Sequence, residues 1–175
     1  RDCLIVYVNY FGICSSQVKH VIDEFKSYKV VIDNSHSYKF EAEEAIATIY
    51  SPRKFFPISE GGLLFSDVKV EKSADFSVPN LDYFEDCLKG DLDLAFEKFK
   101  ENEKLLGSVG PLMLGEYSYR ILTTFLAEKH ILSSRAAFFA ELEESFGSWN
   151  LLSPLSDGTN LIYPLCYPLQ PSFKL

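Results

Sequence analysis

The chain has no surplus of positive charge: 17 lysines and arginines stand against 25 aspartates and glutamates, for a formal net charge of -8. Without a basic stripe to neutralise phosphates, a general nucleic-acid binder is excluded. The four cysteines (Cys3, Cys14, Cys87 and Cys166) lie far apart and form no C-x-x-C pair. They offer neither a zinc motif nor a disulfide framework, so reduced core thiols in a cytoplasmic protein are expected. No apolar run is long enough to span a bilayer and no signal-peptide pattern opens the chain, which points away from a membrane. A P-loop, a G-x-G-x-x-G fingerprint and a G-x-S-x-G elbow are all missing. His20, His36 and His130 have no metal-ligand spacing with cysteine or carboxylate partners, so no metal is expected.

What is present suits a globular fold. At 175 residues and 47% hydrophobic, the chain can bury one good core, or one core plus part of a second. Charged residues make up 24%, too balanced a mixture for a disordered chain. From Arg1 the sequence runs almost at once into Leu4-Ile5-Val6-Tyr7-Val8. A domain seldom opens so abruptly inside a core strand, and the expectation is the middle of a longer protein.

The first third alternates as a parallel α/β sheet would. Leu4 to Tyr10 reads as a buried strand, Phe11-Gly12 as a turn, and Ser15 or Ser16 as the cap of a helix running to about Tyr28. Val18, Val21, Ile22 and Phe25 share one face of that helix. Val30 to Ile32 is a second strand, completing a β-α-β unit with the usual right-handed crossover. Ile46 to Tyr50 and Gly62 to Phe65 are a third and a fourth. Beyond Asp67 the pattern turns helical: Leu81 to Leu106 with an interruption at Gly90-Asp91, then Gly115 to Glu128, then Ser133 to Phe146 with Ser133 as a simple cap. Gly107 to Pro111 reads as a break, Ser153 to Asn160 as a turn-rich loop, and Leu161 to Leu169 as a short, proline-interrupted strand.

The chemistry concentrates between Val30 and Phe65. Asp33 closes the run Val30-Val31-Ile32, and Lys54 follows Ile49-Tyr50-Ser51-Pro52-Arg53. In open α/β sheets the ligand site lies at the carboxyl ends of the strands, where both residues fall. An aspartate and a lysine meeting there suit pyridoxal 5'-phosphate (PLP): the lysine amine holds the cofactor as a Schiff base, and the carboxylate keeps the pyridine nitrogen protonated. For that role the Lys54 pKa must fall from its free value of about 10, and desolvation beside Arg53 would lower it. His36 could contact the cofactor's phenolic oxygen or pack against its ring, although a lone histidine is more often a packing or surface residue. Ser51 could reach the phosphate, although serines at such junctions usually bond local backbone. Gly61-Gly62 provides a tight entry into the next strand or, functionally, a close approach to a ligand. Glu41, Glu43 and Glu44 read as a solvated face, and Phe138 and Phe139 as core.

The order Val8-Asn9-Tyr10-Phe11-Gly12, Val31-Ile32-Asp33-Asn34-Ser35-His36-Ser37, Tyr50-Ser51-Pro52-Arg53-Lys54-Phe55-Phe56 and Glu60-Gly61-Gly62 resembles the DegT/StrS-type aminotransferases. These are fold-type I PLP enzymes, many of which aminate keto-sugars attached to nucleotides. The resemblance implies that Asp33 contacts the pyridine nitrogen, that His36 lies beside the cofactor, and that Lys54 forms the Schiff base. Ser118 to Phe139, with Arg135 ahead of an aromatic pair, looks like the family's linker helices, and Tyr163-Pro164-Leu165 like the opening strand of its C-terminal domain. The likeness covers the middle of a family member. Residues 1–75 would be part of the PLP-binding large domain, with mainly parallel strands, and 76–175 the linker helices and the start of a small C-terminal α/β domain. Departures are the short stretch between Asp33 and Lys54, a serine closer to the lysine than in many members, and Phe55 where asparagine is common.

The resemblance implies an aminotransferase that moves an amino group from an amino acid, glutamate by family habit, to a keto-sugar or other small ketone. It further implies a homodimer with shared active sites. Retention of Lys54 favours transamination over the dehydration carried out by relatives with histidine at that position. The alternatives are a non-catalytic relative serving as a binding or regulatory module, and a fragment with no activity of its own.

Overall fold

The computed structural model describes residues 3–38, 41–71, 73–126, 129–152 and 165–172. Four strands form one sheet in the order β1 (Leu4–Val8), β2 (Lys29–Asp33), β3 (Ala47–Tyr50) and β4 (Leu63–Ser66). The first three are parallel and β4 runs antiparallel to β3, a mixed α/β arrangement close to the expected one. Helix α1 (Ser15–Glu24) joins β1 to β2. It packs Val18, Val21 and Ile22 on Val30 and Ile32 of the sheet, as their helical spacing predicts, whereas Phe25, expected on the same face, lies past the helix end and is exposed. Full burial of side chains such as Val18 and Ile32 contributes about 1.5–3 kcal/mol each.

The other face of the sheet is less covered. Val8, Asp33, Ile49 and Leu64 stand in one cross-strand row, and Leu4, Val6, Ile49 and Leu64 are exposed. The first strand is therefore not buried on both sides, contrary to its apolar composition. It also ends at Val8, because residues 10–12 form a 3-10 turn that reverses the chain. Helix α1 stops at Glu24 rather than near Tyr28, where residues 25–28 make the turn into β2. Neither serine caps it by a side-chain hydrogen bond; Cys14 occupies the cap position, and the Ser15 hydroxyl is engaged by Asn9 instead.

The carboxyl ends of the parallel strands are tied by buried amides. The Asn9 backbone N–H donates to the Asp33 carbonyl (3.0 Å), and that of Asn34 to the Ile49 carbonyl (2.8 Å). Asn9 Nδ2 donates to Asn34 Oδ1 (3.0 Å) and to Ser15 Oγ (2.9 Å). Asn34 Nδ2 donates to the Tyr50 hydroxyl (3.2 Å), which donates in turn to the Glu41 carbonyl (2.7 Å). All three side chains are buried.

Helices α2 (Asp82–Lys89) and α3 (Leu92–Ser108) form a hairpin. Its sequence signal at Gly90-Asp91 has a direct cause. Gly90 takes the left-handed conformation that ends α2 (φ 84°), and Asp91 caps α3 by accepting from the Leu94 N–H. A bridge from the half-shielded Lys98 to the buried Asp86 holds the two together. Helices α4 (Glu116–Leu126) and α5 (Lys129–Phe146) follow. The latter begins a turn before Ser133, so Ser133 lies inside the helix and does not cap it. Leu122, Ile121 and Phe125 of α4 pack with Tyr38, Phe55, Phe56 and Ile58 in a second core that spans both sides of residue 75. Phe139 rests on Tyr167, but Phe138 is exposed and not core. Cys3, Cys87 and Cys166 are unpaired and exposed rather than buried, and Cys14 is half-buried and unpaired. Residues 165–172 form no strand. The expected strand opening at Tyr163-Pro164, like the loop over 153–160, lies outside the described residues. Among the described residues no helix is long and apolar enough to cross a membrane.

Removing the Asn34 amide leaves the Asn9 and Tyr50 groups short of buried partners. We expect Asn34→Ala to lower stability by about 1–3 kcal/mol, read as a fall in the urea midpoint. The exposed Ser27→Ala should stay within about 0.5 kcal/mol. Equal midpoints for the two variants would show that the amide chain carries no stability.

Candidate functional site

The site lies where the parallel strands end. Asp33 is the last residue of β2, and its carboxylate Oδ1 accepts from the Ser35 N–H (2.9 Å), holding the turn that carries His36. His36 reaches across to the turn after β1. Its Nδ1 accepts from the Phe11 backbone N–H (3.1 Å), and its ring stacks on the Phe11 ring with centroids 5.8 Å apart. Ser51 directly follows β3, and Pro52–Lys54 form a 3-10 turn. Proline at its start has the fixed φ such a turn uses. Lys54 therefore sits on a short rigid turn one strand away from Asp33.

Charge links three of the four expected residues. The Lys54 amine is held below its ordinary value, chiefly because protein shields it from water; Arg53 adds to this, while Asp33 and Glu103 oppose it. His36 is likewise lowered, first by burial and then by the Lys54 charge, with Asp33 pulling the other way. Asp33, His36 and Lys54 thus act on one another electrostatically at the strand ends, where Lys54 is exposed. No described residue bonds to the Lys54 side chain. Ser51 stands at the edge of this group: its hydroxyl neither caps the 3-10 turn nor bonds a described residue, so the usual role of such serines in bonding local backbone is not taken up.

Arg53, next to the lysine, is engaged elsewhere. It makes a two-pronged contact with Glu103 of α3 and reaches the Ser59 carbonyl, and it holds the Glu103 carboxyl below its usual range. Beside this pair burial pushes the Tyr83 phenol up to about 12. Glu60, also buried, is bonded by the hydroxyls of Ser59, Ser77 and Ser118. Gly61 has φ 105°, and a Cβ there would lie 2.6 Å from Leu114 Cδ1. The glycine pair therefore serves strand entry and close packing. Phe55 belongs to the second core, with the Arg135 guanidinium 5.2 Å above its ring.

Sequence reading missed several supports of the site. Asn9 and Asn34 each follow directly on an apolar strand, and that repeated placement was the available signal. The pairing of Phe11 with His36, and of Arg53 with Glu103, joins residues distant in sequence and left no local trace.

A lowered pKa gives Lys54 a larger neutral fraction at any pH below that of free lysine. Lys89 and Lys98 shift the opposite way through Glu85 and Asp86 respectively. At about pH 8, where free lysines are almost wholly protonated, a limiting amine-acylating reagent should modify Lys54 faster than either. Peptide mass spectrometry would measure the order, and equal or slower labelling of Lys54 would contradict the shift.

Comparison with protein-family models, curated proteins and solved structures finds no match to this chain.

Proposed function

We propose that the chain carries the cofactor-binding centre of a PLP-dependent aminotransferase, with Lys54 as the covalent attachment residue and Asp33, His36 and Ser51 as further contacts. The observation behind this is the meeting of Asp33, His36 and Lys54 at the carboxyl end of a parallel sheet, with the Lys54 amine unpaired among the described residues and biased towards its neutral form. The donor set suits the cofactor: a carboxylate for a ring nitrogen, an imidazole for the ring or its oxygen, a free amine for the aldehyde, and an unengaged hydroxyl for phosphate.

When bound, PLP supplies an aldehyde that bonds to amines and a ring that draws electrons from a substrate's α-carbon. Lys54 Nζ, in its neutral form, would supply the lone pair that holds the cofactor, and the same Nζ would move a proton at the substrate's α-carbon. The Asp33 carboxylate would accept from the ring nitrogen and keep that nitrogen protonated. The Arg53–Glu103 pairing keeps a second carboxylate from neutralising Lys54 directly. An amino acid donor, glutamate, with a keto-sugar or other small ketone as acceptor, and a homodimer with shared sites complete the proposal. These last rest on the sequence resemblance.

Titration with PLP should produce an absorbance band that borohydride removes, leaving a stable pyridoxyl adduct that peptide mapping locates on Lys54. Lys54→Ala should abolish the adduct. Asp33→Asn should retain it while slowing amino transfer by about a hundredfold, the loss typical when a charge-stabilising group is removed. No band and an unmodified Lys54 would sink the proposal and leave a relative of the fold used for binding or regulation.

A further inference from the structure

Phe11 is the one residue other than glycine with positive φ (57°) among those described. For a bulky L-residue that conformation costs on the order of 1–3 kcal/mol and persists only where its surroundings enforce it. All three parts of the residue are engaged. The N–H donates to His36 Nδ1 at 3.1 Å, the ring stacks on the imidazole at an interplanar angle of 27°, and the carbonyl accepts from the Leu165 N–H at 3.0 Å. Leu165 is held again from the other side, where its own carbonyl accepts from Arg135 Nη1 at 3.1 Å.

A backbone N–H only donates, so Nδ1 must carry a lone pair. In the neutral ring the proton then sits on Nε2. Adding a second proton would put it on Nδ1, against the Phe11 N–H. The charged groups that act on the ring are Lys54, which opposes protonation, and Asp33, which favours it; burial is the larger influence and also opposes it. Tyr10, whose ring meets the imidazole edge-on at 6.4 Å, adds no charge. No described residue accepts from Nε2.

We propose that Phe11 is a positioning residue: its strained backbone fixes His36 as a neutral Nε2–H donor, directed to an anionic oxygen of the ligand held between Asp33 and Lys54. The fixed tautomer follows from the contacts above, and the ligand oxygen, the phenolate of PLP, rests on the proposed function. A neutral donor strengthens its hydrogen bond as charge gathers on that oxygen and loses no proton to it. The Leu165 contact joins this setting to the segment that Arg135 anchors, so the Phe11 backbone is held at both its N–H and its carbonyl.

The deciding measurement is long-range 1H–15N correlation NMR of the His36 side chain in the whole chain, without PLP. A neutral ring protonated on Nε2, and less than half charged at about pH 6.5 where a free histidine is half charged, is the expected result. A proton on Nδ1, or a charged ring at that pH, would overturn the proposal. Phe11→Gly keeps the positive φ and the N–H but removes the ring that shields the imidazole, and the His36 titration should then move up towards its ordinary value. Substitution of His36 itself separates its two nitrogens. His36→Asn keeps an acceptor near Nδ1 but has no donor at Nε2, and should weaken PLP binding by about tenfold, the worth of one good hydrogen bond. His36→Gln reaches the Nε2 position and should recover part of that loss. Equal affinity of wild type and His36→Asn would refute the donor role. Failure of wild type to form the Lys54 adduct, with the expected tautomer in place, would count against the cofactor assignment and leave the positioning by Phe11 standing.

Discussion

The buried chain Asn9–Asn34–Tyr50 is the constraint on which the site depends. Three parallel strands can slide relative to one another unless something fixes their ends, since apolar faces alone tolerate small shifts. Here each strand contributes its terminal or next residue to one hydrogen-bonded line, at 3.0 Å between Asn9 and Asn34 and 3.2 Å between Asn34 and Tyr50. Left unpaired, each buried amide would cost about 1–3 kcal/mol, so a register error is penalised at several groups together. The turns that carry Phe11, His36 and Lys54 all start within a few residues of this line. Their mutual geometry is therefore set by the sheet and not by the loops.

The helical part of the chain is attached to the same edge by charge and by oil. Arg53 binds Glu103 of α3, and Asn102 donates to the Ser59 carbonyl at 3.1 Å. Glu60 could not remain buried as a bare anion; the three serine hydroxyls provide the donors that replace its water, and one of them, Ser118, comes from α4. Phe55 and Phe56 then enter the core that α4 shares. The turn bearing Lys54 is thus clamped at both flanks, while the lysine itself stays without a described partner. That asymmetry is notable because an arginine and a lysine adjacent in sequence compete for nearby carboxylates. Arginine's planar fork fits a carboxylate with two bonds, which lysine cannot do, and Glu103 goes to Arg53.

Strand positions, the α1 stripe, the Gly90-Asp91 junction and the strand-end placement of Asp33 were legible because each depends on residues close in sequence. Glycine and aspartate in succession can end one helix and cap the next whatever the rest of the fold does. Exposure was less legible. Leu4 and Val6 look like core by composition, and only the layout of the elements shows which face of the sheet has a helix on it. The start of α5 and the end of α1 moved because helix limits depend on where the chain must turn. In the site, the candidates were readable as residue types, whereas the hydrogen bond from Phe11 to His36 spans 25 positions and needs a backbone conformation that no propensity scale favours for phenylalanine.

The electrostatics of the three central residues form a consistent set once the competing effects are ranked. Asp33 alone would raise both Lys54 and His36, making each more cationic. Loss of water acts in the opposite direction on both and is the larger influence, and each cation further discourages the other from charging. The strand ends therefore place one carboxylate near an amine and an imidazole that are both lowered from their ordinary values. Full solvation would remove the lowering of the Lys54 amine, which is partly shielded at this position. Partial exposure at the strand ends leaves both the amine and the imidazole lowered from their ordinary values beside a carboxylate. The physical requirement on the protein is hence modest: it must hold the turns rigidly enough that water is thinned, not removed. The amide line beneath the site and the clamped turn at Pro52–Lys54 supply that rigidity.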